Sequence, residues 1–346
     1  MITFRQNPHM TGIEPSKPDA TWRAPSKATR VLLVMLQLPG IGVGTVRKLT
    51  ERRSPFAHLN AVPLESLQLS DAGARELSPS IEERATREVS VLVEQCAEHG
   101  ISILSVADPE YPDTLRNIPD YPPILYVKGD IEALRSKCVA VVGTRKASEL
   151  GQQWSYKISK SLASGAVTVV SGLALGIDTY AHKGALAAGG TTIAVLAHGL
   201  DTVAPTSNRK LAEEILEHEG ALISEHPPGT PPRPPEFVRR NRIQSGLSVA
   251  SIIVESDAEG GAIHQANFTK QQKRALFVVL PSRELREKYA FRDGGARILM
   301  ERHNAQPIAN QDDLSAGMSA VFKLPWITAK EEQTQLSFGN DEGSGL

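Results

Sequence analysis

Five segments of the chain carry residue types and spacings that suit contact with an anion. In VAVVGTRKAS (139–148) an apolar run ends at Gly143-Thr144-Arg145. A glycine at the carboxyl end of a strand permits a sharp turn. The arginine after it then projects over the sheet, where a guanidinium pairs with phosphate through two donors. In VVSGLALGIDTYAHKGAL (169–186) a second run ends at Ser171, Gly172 and Leu173. Gly176 precedes a helix start whose unpaired N–H groups suit an anion. In LAHGLDTVAPTSNRKL (196–211), Gly199 is followed by Asn208-Arg209-Lys210. PPEFVRRNRIQSGLS (234–248) sets Arg239, Arg240 and Arg242 around Asn241, whose amide suits a base edge or a loop contact. Over 229–248 four arginines stand against one glutamate, a net of +3. In LPGIGVGTVRKL (38–49) a glycine turn joins two helices and is followed by Arg47, Lys48, Arg52 and Arg53. This pattern resembles a helix-hairpin-helix. Its turn either holds a DNA phosphate on exposed N–H groups or simply joins the helices.

Catalysis finds little support in the same residues. The chain has neither GxGxxG nor GxxxxGK[ST], so neither a dinucleotide fingerprint nor a nucleotide-hydrolysing phosphate loop is indicated. Asp178 and His182 are four apart and share a helix face. They suit acid–base work on paper, but tying the helix to its neighbour is the preferred reading, because no nucleophile stands beside them. Glu255 and Glu259 are the only other candidates, and no catalytic residue is assigned. Two cysteines, Cys96 and Cys138, exclude a disulfide framework, and no Cys/His spacing suggests a metal. No metal and no cofactor are expected.

The elements that must hold these segments follow from pattern and composition. The chain has 346 residues, enough for two domains at roughly 150 residues each. Lys and Arg number 38 against 39 Asp and Glu, a net charge of −1. That excludes a uniformly basic coat but not a local basic groove, because binding responds to the local field. No apolar run approaches the roughly 18 residues of a membrane span. No apolar signal core opens the chain, so a cytoplasmic protein with no membrane partner is expected. Residues 1–27, rich in Pro, Ser and Thr, are read as a flexible arm. Residues 28–105 are read as a helical domain with the helix-hairpin-helix, one helix carrying Val31, Leu32, Val34, Met35 and Leu38 and a longer one over 81–99. From 101 onward short β-branched runs alternate with helical stretches: 101–106, 124–129, 139–144, 167–172, 192–199, 221–226, 251–256 and 275–281. Continuous apolar runs imply strands buried on both faces, hence an α/β fold with a Rossmann-like parallel sheet over 106–310. Ligands of such sheets bind outside the carboxyl ends of the strands. Residues 311–346 are read as an acidic flexible tail.

Taken in order, GTR, SGLALGIDTYAH, the NRKL loop and FVRRNRIQSGLS resemble the DprA/Smf family of DNA-processing proteins. YPDTLRNIPDYPPILYVKGD (111–130) resembles the lead-in to that family's extended Rossmann domain. The resemblance covers roughly residues 28–300. It implies a protein that binds and protects single-stranded DNA and loads RecA on it in natural transformation. It also implies that Arg145 lies in the DNA-binding pocket, with Asn208, Arg209 and the Arg240–Arg242 segment lining the same groove, and that the chain pairs as a homodimer. Phe237 is the nearest aromatic for base stacking, but it is assigned to the core. Three departures stand out. Ala204-Pro205-Thr206 replaces the family's Tyr-Pro-Lys, which removes a lysine. Glu259-Gly260-Gly261-Ala262-Ile263-His264-Gln265-Ala266 replaces its Gly-Ser…Thr-Ala pattern, which removes two hydroxyls. No winged helix is expected after Asn310. These departures keep an alternative open: a nucleotide-binding sensor or nucleotide-processing enzyme of Rossmann type, in a mobile-element or defence system. Gln335, Leu336 and Phe338 resemble the short peptides that sliding clamps bind.

Overall fold

Each of the eight apolar runs forms a strand. The structure is a computed structural model, and it describes residues 22–52 and 79–323. The strands are β1 (Ile101–Ser105), β2 (Ile124–Gly129), β3 (Cys138–Val142), β4 (Thr168–Ser171), β5 (Thr192–Val195), β6 (Ala221–Ser224), β7 (Ala250–Ile253) and β8 (Ala275–Val279), with β9 (Gln306–Ile308) added. Sequence reading missed β9 because it is three residues long and two of them are exposed. The helices are α1 (Lys27–Gln37), α2 (Val43–Arg52), α3 (Pro79–Glu98), α4 (Asp113–Arg116), α5 (Glu149–Ser164), α6 (Ile177–Leu186), α7 (Arg209–Glu217), α8 (Pro234–Leu247), α9 (Gly261–Gln271), α10 (Arg283–Lys288), α11 (Gly294–His303) and α12 (Gln311–Phe322).

The nine strands form one sheet in the order β1-β2-β6-β5-β4-β3-β7-β8-β9. From β3 the chain winds outward through β4, β5 and β6, then returns past β3 to β7 and winds the other way. The winding therefore reverses between β3 and β7, and a doubly wound sheet opens a crevice at that point. The sheet is parallel from β6 to β9, but β2 runs antiparallel to both β1 and β6. The expected Rossmann-like parallel sheet is thus present, with an antiparallel edge added. A continuous apolar run reports burial on two faces and carries no information about strand direction, so this edge was illegible.

The helical segment is not a separate body. Leu32, Leu33 and Met35 of α1, Val46 of α2, and Val89 and Cys96 of α3 share one core with Ile103 of β1 and Leu125 and Val127 of β2. A boundary at 105/106 would sever β1 from its own sheet. Thr29 Oγ1 donates to Ser105 Oγ at 2.8 Å and ties α1 to the end of β1. The described part of the presumed arm is also anchored: Arg23 N–H donates to Ser102 Oγ at 2.9 Å, and its guanidinium meets Glu110 at 3.1 Å. On α2, Arg47 donates to the carbonyls of Tyr121 (2.7 Å) and Asp120 (2.9 Å), so this arginine staples the hairpin to the sheet instead of facing a ligand. Lys48 is exposed. Arg53 lies outside the described residues.

At 311–322 a helix stands where the acidic tail was expected to begin, and 324–346 lie outside the described residues. Asn310 caps α12 by accepting from the Asp313 N–H at 3.0 Å. Leu314, Met318 and Val321, spaced three and four apart, then pack into the core beneath β8. Gly317 meets the Phe277 ring so closely that an added Cβ would lie 2.6 Å from Cε1. The two adjacent aspartates of its first turn suit a helix N-terminus. Leu314→Ala should therefore cost about 3 kcal/mol of unfolding free energy, the usual range for truncating a buried leucine. A denaturant melt checks this, and an unchanged midpoint would restore the tail reading.

Candidate nucleic-acid interface

A groove of about 590 Å³ opens at the reversal between β3 and β7. Its walls come from the loop after β3 (Gly143 to Lys146), the loop after β7 (Ser256, Asp257), one face of α8 and the start of α9. The loop after β3 is held from two directions. Thr144 N–H donates to Glu255 O at 2.8 Å. On the other side Gly176, at φ +76°, presses against the Thr144 and Arg145 carbonyls, and a Cβ there would lie 2.6 Å from Arg145 O. No other residue type fits that approach. Ile177 N–H donates to Thr144 O at 3.2 Å, so the start of α6 braces this loop and does not face an open anion site.

Helix α8 begins at two prolines after the extended Arg233, which fixes where its faces point. Phe237, Arg240, Asn241 and Gln244 fall at positions three, four and seven apart, and all four line the groove. Arg145 is exposed, and its guanidinium carbon lies 4.8 Å from the centroid of the Phe237 ring. This is a cation–π arrangement that holds the charge over the groove. Among the described residues Arg145 has no carboxylate partner. Lys146 is exposed beside it. Arg292 also lines the groove, with Glu255 at 3.5 Å and Asp257 at 3.3 Å. Phe237 is thus a groove residue, contrary to the expected core role.

The structure brings Gly143, Thr144, Arg145, Arg240 and Asn241 together at the groove. The other expected contacts lie elsewhere. Ser171 is buried and donates to Val141 O at 2.7 Å. Gly172 has both peptide groups engaged: its N–H donates to Asp178 Oδ2 at 3.2 Å, and its carbonyl accepts from Arg240 Nη1 at 3.0 Å. Leu173 is buried in a left-handed turn at φ +56°. Its carbonyl accepts from Asn208 Nδ2 at 2.8 Å, and that amide also donates to Thr179 Oγ1 at 2.9 Å, so Asn208 is a brace. Gly199 N–H donates to Thr230 O at 2.9 Å, outside the groove. Arg209 and Lys210 are exposed on the first turn of α7, also outside it. Arg242 corrects the picture of a continuous arginine stripe. It is 2% exposed and pairs with Glu225 at 2.7 Å and Asp120 at 3.2 Å, on the opposite side of α8 from Phe237. A helix splits consecutive arginines between faces, which a charge count over a window cannot show. Lys146, Gln244, Gln265 and Arg292 were missed. The period of α8 would have found Gln244 from Asn241. Arg292 belongs to no motif and reaches the site through Glu255 and Asp257.

Arg240 is buried, and Nη1 also donates to Val195 O. It closes the ends of β4 and β5 from above. Burial draws its pKa down to about 10, against the opposing pull of the Asp178 charge. Burial raises the Asp178 carboxyl above its ordinary value, and the Arg240 charge pulls it back. His182 Nδ1 lies 2.8 Å from Thr192 Oγ1, which gives its own proton to Val169 O, so the imidazole donates from Nδ1. Burial, with the Arg240 charge adding, draws His182 down to about 3. Asp178 and His182 both tie α6 to the strands. Glu255 accepts from the Ser148 N–H at 2.8 Å and from the Arg292 N–H at 3.1 Å, so this carboxylate also braces loops. Burial pushes both cysteine thiols up to about 12, and neither is a thiolate near neutrality. Glu225, His226 and Glu236 place metal-ligand atoms within 4.8 Å of one another, but the Arg242 guanidinium already meets the Glu225 charge.

A groove at the reversal of a doubly wound sheet, walled by glycine turns and one arginine-bearing helix, places the chain in the class of Rossmann-type proteins with a cationic cleft at the strand ends. The sequence profile described as DNA recombination-mediator protein A matches residues 102–319. The chain belongs to that family. It is 31% identical over 306 residues to Protein Smf of Synechocystis sp., which covers 87% of this chain and 74% of that protein. It superposes on DNA processing protein A of Streptococcus pneumoniae with a TM-score of 0.60 at 26% identity, covering 84% of this chain and 94% of that one. The corresponding protein of Helicobacter pylori gives 0.56 at 29% identity, over 64% and 96%. Among the described residues no helix is long and apolar enough to cross a membrane.

Two measurements separate bracing from binding. Arg240→Ala leaves Asp178 buried without its compensating charge and should cost about 3–5 kcal/mol of stability. Arg145→Ala, on an exposed residue, should leave the melting midpoint nearly unchanged; an equal loss in the two variants would remove the distinction. The His182 sign is equally specific. Its folded pKa of about 3 lies below the unfolded value near 6.5. Its contribution is therefore complete above pH 6.5 and declines as pH falls toward 3, by up to ~1.4 kcal/mol per pH unit. Melts of His182→Gln across this range should fall less steeply than wild type; parallel curves would contradict the assignment.

Proposed function

We propose that this chain binds single-stranded DNA in the groove between β3 and β7, shields it, and hands it to RecA during recombination or DNA uptake. The observation that carries the reading is Arg145, held exposed over Phe237 at the carboxyl ends of the strands. An exposed guanidinium without a carboxylate partner meets a phosphate without first breaking an ion pair. Lys146 adds a second charge. Gly143 and Thr144 bring the backbone close enough for a strand to lie against it, and Asn241 offers an amide at the lip. Arg209 and Lys210 extend the phosphate track beyond the groove, adjoining Asn208, which grips the loop carrying Ala174 at the groove wall. The Helicobacter pylori relative is itself a single-stranded DNA binder, which supports the same reading here.

The physics expected is that of a phosphate-tracking groove with an aromatic platform. Fluorescence anisotropy with a labelled single strand at several salt concentrations tests it. Affinity should fall steeply with salt. Arg145→Ala should weaken binding about tenfold and flatten the log–log salt slope by ~0.7, the share of one phosphate on a single strand. An Arg145→Ala protein with wild-type affinity would remove this site. Displacement of the strand by a mononucleotide would favour the small-nucleotide reading instead.

A further inference from the structure

Outside the groove, the loop after β6 and the first turn of α8 bring three metal-ligating side chains together. Glu225, His226 and Glu236 place their ligand atoms within 4.8 Å of one another. His226 Nε2 lies 3.3 Å from Glu236 Oε2, yet among the described residues that oxygen is buried and accepts no hydrogen bond. Glu225 Oε1 is likewise a buried acceptor without a donor. Arg242 takes the other oxygen of Glu225, Oε2, at 2.7 Å, and divides its charge with Asp120. Arg239 Nε stands 4.0 Å from Oε1, beyond hydrogen-bond reach. Two buried carboxylate oxygens thus carry a desolvation cost that no protein donor offsets.

The same loop lies on a further orphan. Gly199 N–H donates to Thr230 O at 2.9 Å, and a Cβ on Gly199 would stand 2.6 Å from Pro227 O. His198, 1% exposed, is therefore packed under the loop that carries His226. Its Nδ1 donates to Gly199 O at 2.8 Å, so Nε2 is a bare lone pair, and it is buried without a partner. Burial holds the His198 pKa below its ordinary value, which keeps that lone pair free near neutrality.

Lone pairs that gather without donors call for a cation. A protonated His226 aimed at Glu236 would make their contact a hydrogen bond, and it is not one. Ligands roughly 2.0–2.2 Å from a tetrahedral zinc stand about 3.4 Å apart, close to the spacing between these two atoms. Imidazole with carboxylate suits zinc, whereas magnesium and calcium take oxygen ligands. Sequence reading expected no metal, because these residues follow no ligand spacing and meet only when α8 folds back on the loop.

We propose that Glu225, His226 and Glu236 bind one zinc ion through the orphaned carboxylate oxygens and the imidazole, with His198 Nε2 beneath the loop as the lone pair for a fourth position. The ion ties the loop after β6 to the first turn of α8, one residue from Phe237. It acts as a structural staple, and Arg242 on Glu225 Oε2 orients that ligand from behind.

The test titrates zinc into the full chain, stripped beforehand with a chelator, by calorimetry and by thermal melts. Wild type should bind one ion per chain above any background from surface histidines, and its melting temperature should rise with free zinc. A His226→Gln, Glu236→Gln variant should bind at least about tenfold more weakly and melt near wild type in chelator. X-ray absorption of the wild-type zinc complex should show nitrogen and oxygen ligands, including imidazole, and no sulfur; this measurement decides the matter even where the variant fails to fold. No zinc binding by wild type would overturn the site and mark the cluster as a hydrated histidine–glutamate contact. So would equal binding by the variant, or a ligand shell without imidazole.

Discussion

The peptide of Gly172 is gripped from two sides. Asp178 takes its N–H, and Arg240 gives a hydrogen bond to its carbonyl while reaching Val195 O at the end of the next strand. Parallel strands leave their last carbonyls without partners at the carboxyl edge, and a buried carbonyl must find a donor. A guanidinium supplies several in one plane. Because Arg240 must point down into the sheet, the rotation of α8 is set. Phe237, Asn241 and Gln244 then face the groove, and Arg242 faces Asp120 and Glu225. The position of Phe237 in turn decides where Arg145 rests. One buried ion thus orders a site whose exposed charges lie elsewhere.

The same arrangement explains how a chain of net charge −1 presents a cationic groove. The carboxylates nearest the groove are consumed by bracing. Asp178 holds the Gly172 peptide, Glu255 holds the loops that carry Ser148 and Arg292, and Asp257 meets Arg292. Asp257 stays exposed beside Arg292, and among the described residues lining the groove Arg145 and Lys146 are the exposed cations with no carboxylate partner. The local field is set by which charges are already satisfied, and composition does not report that.

Much of this was legible in the sequence, for reasons that differ by element. The eight strands were readable because buried β-branched runs bounded by glycine have few alternatives. The glycine turns at 143 and 176 were readable because their approach to neighbouring backbone excludes any side chain. The direction of β2 was not readable, because burial on two faces carries no sign. Helix α12 was merged with the acidic, Gly- and Ser-rich stretch 331–346 that follows it, although Leu314, Met318 and Val321 already carry a helical spacing. Within the site, Arg145 was found by its place after a strand. Arg242 was misjudged because a window counts charge without regard to face, while Arg240 reaches the groove as a buried brace. Arg292 depends on a partner 37 residues away, Glu255, and no local pattern announces it. The clamp-like peptide with Gln335, Leu336 and Phe338 lies outside the described residues.

Two of the departures from the family pattern are changes of residue, and they fall in places with different physical consequences. At Ala204-Pro205-Thr206 the change sits on a surface turn. Thr206 is exposed, and the bracing bonds of Asn208 to Leu173 and Thr179 are intact. Loss of a lysine there lowers the charge along the track and leaves the architecture alone. At 262 and 265 the change sits inside the groove, since Ala262 and Gln265 both line it. Replacing hydroxyls there with a methyl and an anchored carboxamide alters what the floor accepts. A hydroxyl rotates to donate or accept as its ligand requires, whereas Gln265, with its nitrogen committed to Ser251, offers only an acceptor. The surface change therefore alters charge on the exterior, and the floor change alters the hydrogen-bonding groups that line the groove. Divergence of this second kind changes the chemistry of the groove without moving a strand, because the fold constrains the loops and helix faces and leaves the inward side-chain ends free to vary.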